Sequence, residues 1–309
     1  MKINPILKKE LRVGSRSIRP SIALAIYVLF LVFVMLFSVA QKIQDHLVWG
    51  DRFDFMALSD LFSTMSLLGL ILLLVIMPPI TAGSIAGERE RSTLDIMLSA
   101  PVRSFTIAMG KLLSALVWVL MLVSSSIPIL AVTFLYGGIQ WQYLLVFLIM
   151  MMSVAFFNGA LGIWCSSLFR RTVPAIVLTY VLEAVFYGLT LLIVWLTIQF
   201  GAGKALMEDG AVMLGSLPLV LLLNPGFTFV DAIQSAYSGQ SLMQQVTSGE
   251  YFLDYRYETS ALIESMSGHW LWYGILILFL LAILFVFLTA FNLRRGSEVK
   301  EKRLRTNHR

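Results

Sequence analysis

The chain has 309 residues, 58% of them hydrophobic and only 13% charged, where soluble domains carry roughly 25% charged residues. That balance excludes a soluble globular domain and calls for an integral membrane protein. A formal net charge of +5 would suit a nucleic-acid partner, but its distribution follows membrane topology instead, and the single cysteine, Cys165, excludes an internal disulfide.

The first twenty residues read as an interfacial helix. Asn4 is a good cap and puts Pro5 at the first helical position. Ile3, Leu7, Leu11 and Ile18 form one apolar stripe, while Lys8, Lys9 and Arg12 fall among the basic residues of the other face. Such a helix lies in the headgroup layer.

Backbone amides in lipid must bond internally, so each long apolar run should be a helix. The alternating segments of about ten residues that a barrel needs are absent. The first span is 21–40. Ser38-Val39-Ala40 has cleavage-like spacing, but the preceding apolar run is too long for a signal peptide, so the span is expected to be retained. The second covers 61–80, with Pro78-Pro79 near its end. The third runs from Phe105 to Tyr136, long enough to tilt, to kink at Pro128 or to protrude. The fourth covers 143–168, the fifth runs from Pro174 to Gln199, and the sixth covers 270–292.

Between the second and third spans lies a polar insert, Gly87 to Pro101. Ser92 and Asp95 have capping-box spacing, with Asp in place of Glu. A short helix is expected from Ser92, with Leu94, Met97 and Leu98 on its apolar face and Pro101 as its stop. The charges Glu88, Arg89, Glu90 and Arg91 precede it, and the whole suits docking to a soluble partner.

Ala211 to Leu223 is apolar but, at about 1.5 Å per residue, too short for the roughly 30 Å core. Asn224-Pro225-Gly226 should stop any helix there, so a re-entrant or interfacial hairpin is expected. The polar stretch from Asp231 to Gly268 completes an external cap over 200–269, and a basic cytoplasmic tail follows at 293–309. Six spans with both ends inside place all but four of the 23 basic residues (Lys42, Arg52, Lys204 and Arg256) in the cytoplasm.

No phosphate-binding loop, zinc-protease motif or serine-nucleophile motif is present, and no cysteine pair. Catalysis and metal binding are therefore not expected of this chain. Glu183 is the one acidic residue deep in a span, where a charge must face protein or water. It is either a proton or cation site or a carboxyl that joins helices through Asn158, Tyr180 or Tyr187. Ser124, Ser125, Ser126, Gly159 and Gly162 allow close helix approach.

Three stretches carry a family likeness: Asn4-Pro5-Ile6-Leu7-Lys8-Lys9-Glu10-Leu11-Arg12; Ala82 through Pro101 followed by Gly110-Lys111; and Leu223-Asn224-Pro225. With them the chain resembles the membrane permease subunits of ABC-2-type ATP-binding-cassette transporters. The resemblance implies an all-α membrane domain over 1–309 in the plasma membrane, with both termini cytoplasmic. It implies a coupling helix from Glu88 to Pro101 that packs into a groove on a separate ATPase, which holds ATP and Mg. It also implies a second permease, identical or related. The position before Thr93 is commonly Gly in this pattern; here it is Ser92. Export is favoured because no platform for an external binding protein is evident. The rival reading is a proton- or cation-coupled secondary transporter working through Glu183.

Overall fold

The computed structural model describes residues 18–49, 56–94, 103–137, 141–208, 212–247 and 257–307. The amino-terminal segment with Asn4, Pro5, Lys8, Lys9 and Arg12 lies outside the described residues, as do Asp95, Met97 and Leu98 of the insert.

The protein is a helical bundle. In chain order the described helices are α1 (Ile18–Trp49), α2 (Met56–Thr81), α3 (Gly83–Glu90), α4 (Ser104–Gly137), α5 (Trp141–Leu168), α6 (Thr172–Ala184), α7 (Thr190–Glu208), α8 (Pro225–Ser238), α9 (Leu242–Thr247), α10 (Ala261–Ser267) and α11 (Trp270–Asn307). A π-turn, Val185–Leu189, joins α6 to α7, and a 3₁₀ helix, Leu217–Leu223, precedes α8. Six helical stretches are long and apolar enough to cross a membrane: Ser21–Gln41, Leu61–Glu90, Ser104–Val132, Trp141–Leu168, Thr172–Thr197 and Trp270–Arg294. Their positions follow the hydropathy of the sequence.

The span α5 is the hub. Phe147, Met150, Met151, Val154, Phe157 and Leu161 are all buried along it. Gly159 and Gly162 make room for α2 and α4: a methyl on Gly159 would meet Leu112 and Met77, and one on Gly162 would overlap Thr81. Close approach of this kind gives dispersion contacts, which drive helix association where hydrophobic burial cannot. The peripheral α1 and α6 expose Leu29, Phe33, Leu36, Val173, Val177 and Val181, as surfaces bathed in lipid do.

One feature differs from the sequence expectations and two others refine them. The second span does not end at Ile80. Helix passes through Pro78-Pro79, turns at Ala82 and resumes as α3. Pro79 has no N–H, which leaves the Val75 carbonyl without its helical donor. The Tyr180 hydroxyl donates to that carbonyl at 2.7 Å. The third span stays one helix across Pro128. The outer segment holds a bent helix pair of the kind expected there. After the 3₁₀ helix the chain turns by 95° and α8 runs into the bundle, where Phe229, Ala232 and Ile233 join the main core. Asn224-Pro225-Gly226 therefore starts a helix as well as stopping one. The Asn224 side chain accepts from the Phe227 N–H, and Pro225 takes the first helical position. A two-strand parallel pairing, Val212–Gly215 with Tyr257–Thr259, ties the outer segment together.

Candidate functional site

The charges of the polar insert lie on α3, beneath the ends of three spans. Ala82, the cap residue of α3, makes no side-chain bond to its first turn. Ser166 on α5 does that work in trans: its Oγ accepts from the backbone N–H groups of Ile85 (2.9 Å) and Ala86 (2.8 Å). A helix start left uncapped in a buried site would hold unsatisfied donors.

The three charges that follow each take a different span. Glu88 Oε1 accepts from Lys111 Nζ of α4 at 3.0 Å, and the same ammonium donates to the Ser84 carbonyl at 2.9 Å. Arg89 donates to the carbonyls of Ser167 (2.7 Å) and Phe169 (3.1 Å), satisfying the carboxyl end of α5. Glu90 Oε2 accepts from the Thr172 backbone N–H (3.1 Å) and hydroxyl (2.7 Å), capping the amino end of α6. Asn292 of α11 donates to Ser167 Oγ at 3.0 Å and draws the last span to the same point. Glu88, Arg89 and Glu90 thus bracket the spans of their own chain. Arg91, Ser92 and Thr93 are exposed, and Leu94 is buried in the main core.

Ser92 does not have the backbone of a residue that caps a helix start. Its φ is 58°, the left-handed region, whereas a capping residue at a helix start is extended. It ends α3 instead. The Ser92 N–H donates to the Arg89 carbonyl at 3.0 Å and the Thr93 N–H to the Glu88 carbonyl at 2.9 Å, the paired bonds of a Schellman turn. Glycine is the natural residue at this turn because it lacks Cβ, which accounts for the glycine usual in the resembled pattern.

At the other end of the bundle a second polar network joins α8 to the π-turn. Asn224 is fully buried. Its Nδ2 donates to the Tyr187 carbonyl (3.0 Å) and to Thr190 Oγ1 (2.7 Å). A π-turn widens the helical hydrogen-bond ladder by one residue, and here a carbonyl within it is taken up by a side chain. Asn158 of α5 donates to the Tyr187 hydroxyl at 2.7 Å, so α5, the π-turn and the outer hairpin are hydrogen-bonded in series. Glu183, one turn before Tyr187, is buried, and its Oε1 has no partner among the described residues. Of the partners foreseen for it, Asn158 and Tyr187 bond each other and Tyr180 bonds Val75.

Sequence reading did not single out Ser166 or Thr172. Ser166 follows Gly159 and Gly162 at helical spacing, so the small-residue face was visible but its hydroxyl's role was not. Among the described residues no group of His, Cys, Asp or Glu side chains is arranged to hold a metal ion.

Six apolar helices, one of them a glycine-notched hub, with a charged helix folded under three of them, define a multi-pass membrane protein. Residues 4–296 match the family described as ABC-2 family transporter protein, and the chain belongs to that family. It is an ABC transporter permease. No curated protein matches the chain.

Proposed function

We propose that the chain forms half of the translocation pathway of an exporter, paired with a second, identical or related permease. A separate ATPase that binds ATP and Mg drives it. Both termini and α3 lie on the cytoplasmic side, in keeping with the basic residues at that end of the bundle. The ATPase docks on the segment from Arg91 to Pro101, with Asp95, Met97 and Leu98 in the contact.

One observation carries this reading: Glu88, Arg89 and Glu90 are each bonded to a different span. A push on the exposed residues that follow α3 is therefore delivered to α4, α5 and α6 together. Coupling between sites needs an element whose two positions both sites bias, and the tilt of the α3 bracket is that element. Docking and transmission then belong to different residues.

The test exploits the single, buried cysteine, Cys165. Ser92→Cys places a thiol at an exposed site and is labelled in intact cells only by membrane-permeant maleimide. Labelling by an impermeant reagent added outside overturns the reading. In co-purification from the native host, Arg91→Ala loses the phosphate-loop ATPase. Glu90→Gln keeps the ATPase but lowers transport per ATP hydrolysed. Loss of the ATPase in neither Arg91→Ala nor Leu98→Ala refutes docking at this segment.

A further inference from the structure

The α3 bracket leaves a hollow beside it. A cavity of about 870 Å³ lies between α3 and α4, with Ser84, Glu88, Glu90, Arg91, Lys111 and Trp118 in its walls. A second hollow, of about 530 Å³, lies between α1, α2 and α4, and its walls are apolar, including Ala23, Leu24, Val75 and Leu122. Pro79, Ile80 and Trp118 belong to both. The two hollows are therefore neighbours across these three residues. The first has charged and polar side chains in its walls beside α3, and the second is walled by apolar side chains of the spans.

The polar end carries a specific demand. Ser84 Oγ and Glu88 Oε2 are buried and have no hydrogen-bond partner among the described residues. Buried polar atoms are ordinarily satisfied, and each one left bare calls for a partner from elsewhere. Glu88 Oε2 requires an N–H or O–H donor, and Ser84 Oγ can donate as well as accept. Arg91, exposed at the same cavity, presents a guanidinium suited to phosphate. The formal charges of Glu88, Glu90, Arg91 and Lys111 cancel, so the end as a whole suits a headgroup of zero net charge that carries both signs.

We propose that the two hollows together are a lipid site that takes one zwitterionic aminophospholipid from the leaflet around α3. Its primary ammonium donates to Glu88 Oε2, and its phosphate meets Arg91 and Ser84 Oγ. One acyl chain runs past Trp118 along Leu24, Val75 and Leu122. Binding here is non-covalent. A trimethylammonium headgroup has no N–H to give Glu88, and an anionic glycerol headgroup brings no cation, so both are discriminated against.

The full chain in nanodiscs, doped with phosphatidylethanolamine bearing a photoreactive acyl chain, tests the site. Choline and glycerol phospholipids carrying the same chain are the comparison arms. Labelling of peptides from α1, α2 and α4 by the ethanolamine lipid should exceed that by the other two by about tenfold, the equivalent of about 1.4 kcal/mol. The double variant Ala23→Trp/Val75→Trp fills the apolar end and should reduce the signal to the level of the comparison lipids. Val177→Trp, on the exposed face of α6, should not. Arg91→Ala changes an exposed side chain without touching the packing, and should also lower labelling severalfold. Equal labelling by the three lipids, which marks ordinary annular contact, overturns the proposal. So does labelling that neither the plug nor Arg91→Ala reduces.

Discussion

Replacing Lys111 with methionine should unfasten α3 from α4. The Lys111 side chain is 2% exposed and that of Glu88 17%, so the pair is largely shielded from water. Removing one member of a buried ion pair strands the other charge and costs about 3–5 kcal/mol. Glu88 borders a cavity, so the lower figure, about 3 kcal/mol, is expected for Lys111→Met. Glu88→Gln keeps an acceptor for the ammonium, which also retains the Ser84 carbonyl, and about 2 kcal/mol is expected. The double variant has no stranded charge and should cost about 2 kcal/mol, well short of the sum of the singles. At about 2–4 °C per kcal/mol for a large domain, Lys111→Met lowers Tm by about 6–12 °C. Thermal unfolding of the full chain in micelles, followed by tryptophan fluorescence, reads all three variants. Additive losses, or a Lys111→Met shift below about 2 °C, would refute the claim that this pair locks the bracket.

Ser92→Gly should stabilise the end of α3 by about 0.5–1 kcal/mol, since a left-handed residue with a side chain costs about 1–2 kcal/mol and glycine returns part of that as entropy. Slower amide exchange at Thr93, whose N–H closes the turn, checks it. Gly162→Ala should cost about 1–3 kcal/mol through overpacking against Thr81, and Thr81→Ala should restore most of the loss in the same unfolding assay. Asn224→Asp keeps the acceptor that caps α8 but loses the donor to Tyr187 and Thr190. It should cost about 2–4 kcal/mol at this buried site, while an equal effect from a residue that keeps the amide, Asn224→Gln, would point to shape rather than hydrogen bonding.

The spans were legible because hydropathy is a sum over neighbours along the chain. Leu61–Glu90 and Trp141–Leu168 each carry enough apolar residues to declare themselves. Gly159 and Gly162 were legible as close-approach residues, but not as the seat of Thr81 and Met77. The motif Gly110-Lys111 gained its meaning only when the ammonium met Glu88. Ser92 misled for a local reason. A serine three residues before an acid reads as a helix start, yet the same residue is held in the left-handed turn that ends α3. Asn224-Pro225-Gly226 read as a stop because proline and glycine break helices, and it also starts one because proline is equally at home at a first helical position.

Composition and charge by themselves determined that this is a polytopic helical membrane protein, and where its long apolar helices and its polar insert fall. Lipid admits no backbone without internal hydrogen bonds, which makes that much a matter of local arithmetic. The use made of Glu88, Arg89 and Glu90 was decided by tertiary structure alone. Their partners stand 23, 78 to 80 and 82 residues away in the chain. Only the convergence of three span ends under one short helix brings those atoms within bonding distance.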